Sequence, residues 1–235
     1  MIMIRLFFGT TNGGKLRELS RMVADLPVKV VSPADLGMPL PEVVEDGDTF
    51  RENAETKAVA YARFTGMHAL ADDSGLCVDA LGGAPGVHSA RWSEADDAPA
   101  SPACAPPGGA TPEQGIELAR ASRDEANNEK LLRSLAGVPE GRLGAGYVAV
   151  LALARPDGRI VTTVEGTCRG RIGRERRGTD GFGYDPLFVP DAQDGRTMAE
   201  LDPAEKDALS HRGAAFRALR PVIERLAFDK AGEEG

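Results

Sequence analysis

The chain has 235 residues, of which 42% are hydrophobic and 27% are charged, a globular composition with enough length for one sizeable core. The formal net charge of −8 argues against a general nucleic-acid surface, which would be basic, and no apolar run is long enough to span a bilayer. Three widely spaced cysteines, Cys77, Cys104 and Cys168, form no CxxC pair and indicate reduced thiols rather than a disulfide framework or a zinc site. We therefore expect a cytoplasmic protein with no nucleic-acid or membrane partner.

The N-terminal segment predicts a strand, a glycine-rich loop and an amphipathic helix. Residues 2–8 are mostly apolar but too few for a signal peptide, and TTNGGK follows at 10–15. Backbone N–H groups at a helix start attract anions, and Lys15 adds a positive charge there that does not favour the helix dipole. The loop therefore suits a phosphate ligand, although it lacks the GxxxxGKS/T pattern of a Walker A loop. An ordinary connection between strand and helix remains the alternative.

A second strand is expected at 28–31, and an acidic loop at 42–48 leads into a second helix. The helix starts with the T-x-x-E pattern of a capping box at 49–52. It should run to about residue 64 and bury one stripe of side chains, Phe50, Ala54, Ala58, Tyr61 and Phe64. Asn53 and Lys57 lie one turn apart on a neighbouring face, where Lys57 is either a solvated lysine or a site residue.

Two adjacent acids, Asp72 and Asp73, follow the apolar residues 69–71. We expect these apolar residues to end a short buried strand, with the Ser-Gly pair at 74–75 permitting a sharp turn out of the sheet. Strand ends are where α/β proteins place their sites, and a buried carboxylate must be neutralised, paired or bound to a metal. Glu45 would be the second carboxylate of a magnesium site shared with Asp73. The alternative is a solvated turn in which Asp caps the backbone.

The segment at 94–123 is rich in Pro, Ala, Gly and acidic residues and predicts a surface insertion without a catalytic role. A helix is expected from about residue 127, followed by two strands at 144–154 and 159–166 joined by a Pro-Asp-Gly turn. Five arginines come next, and they either balance a polyphosphate or form a solvated face: Arg169, Arg171, Arg174, Arg176 and Arg177.

A glycine-interrupted loop at 178–186 carries two aromatic residues. Such a ring either stacks on a nucleobase or is buried and holds the loop in place. Further on, Ser210 is expected to cap a helix that Pro221 should kink or end, and residues 229–235 are expected to be a disordered tail. The two residues after the cap are cationic groups that oppose the helix dipole, which suggests a role other than helix stability.

Five segments in this order resemble the inosine/xanthosine triphosphate pyrophosphatases, enzymes that remove ITP, dITP and XTP from nucleotide pools. They are TTNGGK (10–15), TFRENA (49–54) with Lys57 after the acidic loop, LADDSGLCVDALGGAPGVHSARW (70–92), GTDGFGYDPLF (178–188) and AEKDALSHRGAA (204–215). The chain departs from the family pattern in the longer segment at 94–123 and in Thr11, where many members carry glycine.

The resemblance implies a two-lobed α/β fold on a long mixed β-sheet flanked by helices, with an active-site cleft between the lobes. Residues 1–228 would form this single catalytic domain, and the enzyme would be a homodimer. The implied reaction is hydrolysis of a noncanonical purine nucleoside triphosphate to the monophosphate and pyrophosphate, with one or more Mg²⁺ per subunit.

The resemblance also implies roles for residues at the matching motif positions. Asp73 is similar to the metal ligand that accepts a proton from the attacking water, and Glu45 to the second metal ligand. Lys15 and Lys57 would stabilise the polyphosphate electrostatically. The substrate would be held by the triphosphate loop, a base and sugar platform and contacts near the C-terminus: Thr10, Thr11, Asn12, Gly13, Gly14, Lys15, Ser74, Phe182, Gly183, Tyr184, Asp185, Lys206, His211 and Arg212.

Our hypothesis for the chemistry is that Mg-bound water attacks the α-phosphorus and pyrophosphate leaves. An aspartate near its ordinary pKa is a weak base, so the metal must supply much of the activation. One rival is an aspartate-nucleophile phosphatase that uses Asp72 or Asp73, although the first strand does not end in the DxDxT/V arrangement. A second rival is a nucleotide-binding regulator that holds its ligand without turnover.

Overall fold

The computed structural model describes residues 3–37, 39–95 and 112–233, and these ranges contain six strands and six α-helices. The strands are β1 (Ile4–Phe8), β2 (Val28–Val31), β3 (His68–Val78), β4 (Gly144–Ala154), β5 (Ile160–Ile172) and β6 (Phe188–Pro190). The helices are α1 (Gly13–Met22), α2 (Pro33–Leu36), α3 (Phe50–Thr65), α4 (Pro112–Ser134), α5 (Pro203–Leu209) and α6 (His211–Glu233).

Within the described ranges the strands form one mixed sheet in the order β2-β1-β3-β4-β5-β6. Strand β1 pairs in parallel with β2 and with β3, whereas β5 and β6 are antiparallel. The expected α/β fold, a mixed sheet flanked by helices, is therefore confirmed. None of the helices in this part of the chain combines the length and the apolar character needed to cross a bilayer.

The chain divides into two compact units, and the first comprises Met1–Ser74, Val148–Cys168 and Pro203–Gly235. Its strands separate two apolar layers, because successive side chains of a strand point to opposite faces of a sheet. One layer contains Leu70 of β3 and buried residues of α1 and α6. The other contains Ala69 and Ala71 of β3 and the small residues Ala54, Ala58 and Ala62 of α3. The face of each β3 side chain therefore determines which helix it meets.

The second unit comprises Gly75–Tyr147 and Arg169–Asp202. Its buried side chains include Leu131 of α4 and Leu135, the residue that follows this helix, and the rings of Tyr147 and Phe188 lie with centroids 4.7 Å apart. Asn127 of α4 anchors the neighbouring 3₁₀ segment Gly86–Ala95, since its Nδ2 donates to the Ser89 carbonyl (3.2 Å) and its Oδ1 accepts from the Ser93 N–H (2.7 Å). Helix α4 is thus part of the core of this unit.

Strand β3 corrects the expectation for the two acids. It runs to Val78, so Asp72 and Asp73 lie inside the strand and the chain makes no sharp turn at 74–75. Gly75 serves a close approach instead, because a Cβ there would lie 2.3 Å from Ser89 Oγ and 2.4 Å from the Gly86 carbonyl oxygen. Strand β5 also continues well beyond the expected 159–166, since it includes the first two arginines of the basic cluster.

Two helices are longer than the sequence indicated. Helix α4 begins at Pro112, so the later part of the expected insertion at 94–123 is helical, while residues 96–111 lie outside the described ranges. Helix α6 continues through Pro221 to Glu233. The proline therefore does not end this helix, and the segment expected to be a disordered tail is helical up to that residue.

Helix α3 confirms the predicted capping box, since Thr49 Oγ1 accepts from the Glu52 N–H and the Glu52 carboxylate accepts from the Thr49 N–H. Of the predicted buried stripe, Ala54 and Ala58 are buried, and Phe50 and Tyr61 are partly buried and pack against the same core. Phe64 is 43% exposed, while Ala62 is buried. Two residues correspond to a rotation of about 200° around a helix, so the two positions cannot both face the core.

Cys77 and Cys168 are free thiols, and Cys104 lies outside the described ranges.

Candidate active site

The adjacent acids Asp72 and Asp73 of β3 lie on opposite faces of the sheet. The side chain of Asp72 lies on the same face as Leu70, towards α1 and α6, and Asp73 lies on the same face as Ala71, towards α3. Both carboxylates are buried and both meet basic groups. The alternative of a solvated acidic turn is therefore wrong, and each buried carboxylate is paired with a cation.

Asp72 is held by two cations and a hydroxyl group. Its Oδ1 accepts from Lys15 Nζ (2.6 Å) and Ser74 Oγ (2.8 Å), and its Oδ2 accepts from Arg212 Nε (2.6 Å). Burial alone would raise the pKa of Asp72, but the charges of Arg212 and Lys15 and their hydrogen bonds hold it far below its usual range. Asp72 is therefore a permanent anion that positions these two cations, which makes it unsuited to accept a proton.

Glu18 of α1 extends this network and was not singled out from the sequence. Its buried carboxylate accepts from Lys206 Nζ (2.9 Å) and forms a second ion pair with Arg212. The guanidinium of Arg212 thus joins Glu18 to Asp72 and also donates to Ser74 Oγ (3.0 Å). The available signal was the position of Glu18 three residues after Lys15, which places both on one side of the helix.

The opposite face centres on Lys57. Its Nζ donates to Asp73 Oδ1 (2.7 Å), Glu45 Oε2 (2.8 Å) and the Asp72 carbonyl oxygen (3.1 Å), and the side chain is buried. Asn53 holds the acidic loop beside it, since its Oδ1 accepts from the Gly47 N–H (2.9 Å). Glu45 and Asp73, far apart in sequence, therefore meet at a single ammonium group. The alternative of a solvated lysine is excluded.

The two carboxylates at Lys57 differ in acidity. Burial raises the pKa of Asp73 above its usual value, although the ammonium of Lys57 acts in the opposite direction. Burial would also raise the pKa of Glu45, but Lys57 holds it below the usual value. The pKa of Lys57 itself is raised by the two carboxylates despite its burial. Asp73 is thus the stronger base of the two acids.

The triphosphate loop predicted at 10–15 is organised as a helix N-terminus. Asn12 caps α1, since its Oδ1 accepts from the Lys15 N–H (3.2 Å), and Thr10 Oγ1 accepts from the Asn12 N–H (3.1 Å). Gly13 and Gly14 are the first residues of α1, and Thr11 is exposed in the loop before the cap. The N–H groups of this first turn therefore lie at the same end of α1 as the Lys15 ammonium.

His211 and Arg212 open α6 and are both buried, and Lys206 of α5 is buried as well. Burial, together with the neighbouring charge of Arg212, holds the pKa of His211 well below its usual value, so its imidazole is neutral near pH 7. Ser210 Oγ accepts from the Gly213 N–H (3.0 Å), which confirms the predicted N-cap. Contact between these three basic residues and a base stays a prediction, and the structure adds that two of them bind Glu18.

In the second unit, the predicted base platform is a loop with several internal anchors. Tyr184 is buried and its hydroxyl donates to the Ser89 carbonyl oxygen (3.0 Å). Asp185 is also buried, and its Oδ2 accepts from the Phe182 N–H (2.9 Å). The interpretation of a buried aromatic that holds the loop therefore fits Tyr184, whereas the ring of Phe182 is only partly buried. Their contact with a nucleobase, together with that of Gly183, stays a prediction.

The arginine cluster makes contacts within the second unit. Arg174 donates to the Leu135 carbonyl oxygen (2.7 Å) beyond the end of α4, as a cation at a helix C-terminus is expected to do. Arg169, Arg176 and Arg177 form ion pairs with nearby carboxylates. These contacts agree with a mainly structural role for the cluster.

The fold and these contacts define a mixed α/β protein with a cluster of paired lysines, arginine and carboxylates beside a helix N-terminus. A cluster of this kind suits a phosphorylated substrate. The Ham1 family model matches residues 6–103 and 111–222, and the chain belongs to this family.

Individual relatives agree with this assignment. The chain is 66% identical over 230 residues to a protein of Anaeromyxobacter dehalogenans (strain 2CP-C) named dITP/XTP pyrophosphatase, covering 94% of this chain and 98% of that protein. A Streptomyces avermitilis protein with the same name is 45% identical, covering 95% and 99%. Among solved structures, a HAM1 protein from Coxiella burnetii is similar with a TM-score of 0.73 and 35% identity, covering 95% of this chain and 100% of that chain.

Proposed function

We propose that the chain hydrolyses noncanonical purine nucleoside triphosphates, ITP, dITP and XTP, to the monophosphate and pyrophosphate. The observation that carries this proposal is the meeting of Glu45 and Asp73 at the ammonium of Lys57. It brings together, from separate parts of the sequence, the groups that hydrolysis of a phosphate anhydride needs: a base, an electrophilic cation and a second carboxylate. The names of the relatives give the substrate class.

In this mechanism Asp73 orients the attacking water and accepts its proton, which its raised pKa favours. Lys57 lies 2.7 Å from Asp73 Oδ1 and would stabilise negative charge that develops on the phosphate oxygens. Lys15, held by Asp72 at the start of α1, would bind the polyphosphate together with the N–H groups of the first helical turn. The α-phosphorus is attacked and pyrophosphate leaves.

The carboxylates of Glu45 and Asp73 fit the donor set of Mg²⁺. In the described ranges no group of three or more His, Cys, Asp or Glu side chains is arranged to hold a metal ion, but Mg²⁺ commonly takes only one or two protein carboxylates and completes its shell with water and substrate phosphates. When bound, Mg²⁺ would supply positive charge that neutralises the phosphate oxygens. Glu45 and Asp73 would hold it.

The test of this function is identification of the products. The protein is incubated with ITP, dITP, XTP, ATP or GTP, each with Mg²⁺ and with EDTA in its place, and the products are separated. Pyrophosphate with IMP from ITP is expected. Orthophosphate with IDP or inosine would favour the aspartate-nucleophile phosphatase, and binding without turnover would favour the regulator.

A pair of variants assigns the base. Asp73→Asn should lower kcat for ITP by at least about a hundredfold, since general-base catalysis contributes about that much or more. Asp79→Asn is the control, because Asp79 is an exposed carboxylate paired with Arg169, and its activity should equal that of the wild type. Activity of Asp73→Asn within a few fold of the wild type would remove Asp73 from this role.

We also propose that the protein acts as a homodimer in the cytoplasm, on the basis of the family resemblance alone. Size-exclusion chromatography with light scattering tests the assembly. A mass near 24.8 kDa, that of one chain, would exclude the homodimer.

A further inference from the structure

Both backbone groups of Gly183 are bound by side chains of one helix. The Gly183 N–H donates to Asp124 Oδ2 (2.8 Å), and the Gly183 carbonyl oxygen accepts from Asn128 Nδ2 (2.9 Å). Asp124 and Asn128 are one turn apart in α4, so their side chains lie on the same face of the helix. We call these two residues the α4 clamp.

The loop depends on this support. Gly183 has a φ of +64°, a left-handed conformation that glycine adopts readily. Because glycine has no side chain, only contacts of its backbone can hold this conformation. A backbone group shielded from water needs a hydrogen-bond partner, and at Gly183 the α4 clamp provides one for the donor and one for the acceptor. The conformation at this position is thus set from outside the loop.

The residues on either side of Gly183 are anchored differently. The hydroxyl of Tyr184 donates to the Ser89 carbonyl oxygen, and the side chain of Asp185 is buried. Phe182 is fixed by its backbone N–H on Asp185 Oδ2, while its ring remains partly exposed. Gly183 joins Phe182 to the anchored Tyr184. The direction of the Phe182 ring therefore depends on the backbone conformation of Gly183.

We propose that Asp124 and Asn128 are positioning residues for purine recognition: by holding Gly183 they fix the ring of Phe182 in the orientation that receives the base. This inference rests on the proposed function for the identity of the base. Neither residue need touch the substrate. Burial raises the pKa of the Asp124 carboxyl, which agrees with a carboxyl oriented into the protein.

The variants separate positioning from general stability. Asp124→Ala removes the acceptor for the Gly183 N–H, whereas Asp124→Asn retains an oxygen that can accept the same hydrogen bond. Asn128→Ala removes the donor to the Gly183 carbonyl oxygen. Lys130→Met is the matched control, since Lys130 is a buried residue of the same helix whose Nζ donates to the Trp92 carbonyl oxygen (2.8 Å) and lies 4.9 Å from the centre of the Trp92 ring.

Two measurements are made on the full-length protein: amide hydrogen exchange of peptides containing residues 181–185, and KM and kcat for ITP and GTP with Mg²⁺. We expect faster exchange and about a tenfold rise in KM for ITP in Asp124→Ala and Asn128→Ala, with kcat changed by less than about threefold. Asp124→Asn should restore most of the wild-type KM. Lys130→Met should leave both the exchange of this loop and KM unchanged.

Three results would overturn the proposal: wild-type exchange of the loop in both alanine variants, faster exchange with an unchanged KM, or an equal effect in Lys130→Met. The proposed function fails separately, if wild-type protein releases no pyrophosphate from ITP. In that case the exchange data still decide whether the α4 clamp holds the loop, and the assignment to a purine base is refuted.

Discussion

Replacing Arg212 by methionine tests whether the buried ion pairs hold the first unit together. Arg212 is 3% exposed and bonds to Asp72, Glu18 and Ser74, which come from two different elements of the fold. Methionine fills part of the same space but leaves Asp72 with the single cation Lys15. Because the carboxylates of Asp72 and Glu18 stay buried, neither can replace the lost interaction by one with water.

Removing one partner of a buried ion pair typically costs about 3–5 kcal/mol. For a chain of this size each kcal/mol lowers Tm by roughly 2–4 °C, so a fall of about 6–20 °C is expected. Arg21→Met is the matched control, since Arg21 also pairs with an aspartate, Asp207, but its side chain is 40% exposed. Exposed ion pairs contribute about 1 kcal/mol or less, so this control should lower Tm by at most about 4 °C.

The effect of Arg212→Met should depend on pH. The folded-state pKa of Asp72 is depressed, so Asp72 contributes stability above its unfolded pKa of about 3.9, and this is lost as the pH falls through the folded value. Without Arg212 the folded pKa rises and the contribution is smaller. The difference in unfolding free energy between wild type and variant should therefore be full at pH 7 and should shrink as the pH falls through the folded-state pKa that Asp72 has in the variant. Urea unfolding at pH 7 and pH 3 measures it, and a difference of less than about 1 kcal/mol at pH 7 would refute the reasoning.

Three further variants probe separate parts of the structure. Gly166→Ala should lower stability by about 1–3 kcal/mol in thermal unfolding, because a Cβ there would lie 2.2 Å from backbone atoms of α6; an unchanged Tm would contradict this packing. Thr49→Ala removes the cap of α3 and should cost about 1 kcal/mol in the same assay, with Thr49→Ser restoring most of it. Lys57→Met should lower kcat/KM for ITP by at least about a hundredfold in a pyrophosphate-release assay, and a smaller loss would show that its ammonium is dispensable.

Local features of the fold could be read from the sequence because their causes are local. The capping box of α3 and the Ser210 cap of α6 need only a few neighbouring residues, and both are present. The turn predicted at 74–75 failed for the opposite reason. Glycine serves either a turn or a close approach, and the choice at Gly75 is decided by Ser89, which reaches it from a later part of the chain.

The site shows the same division. The sequence identified Asp73, Glu45 and Lys57 as candidates, and the structure brings them together. It did not identify Glu18, because the reason for a buried glutamate in α1 is the guanidinium of Arg212, which lies 194 positions later in the chain. Helical spacing places Glu18 on the same side of α1 as Lys15, but it carries no information about a partner so far away in the sequence. The sequence also underestimated the length of β3, which includes both Asp72 and Asp73. With the full strand predicted, the alternation of side chains would have assigned these two acids to opposite faces of the sheet.

The charge balance of the cluster bears on the proposed binding of a triphosphate. The cluster joins four cations, Lys15, Lys57, Lys206 and Arg212, to four carboxylates, Glu18, Glu45, Asp72 and Asp73, and each of these cations pairs with at least one of these carboxylates. These eight groups sum to zero, so a polyanion that approached them would gain little net attraction. A divalent cation held by Glu45 and Asp73 would change that balance and free Lys57 to face the phosphate oxygens. The ion pairs of the protein therefore support the proposed requirement for Mg²⁺, in addition to the chemistry of the proposed reaction.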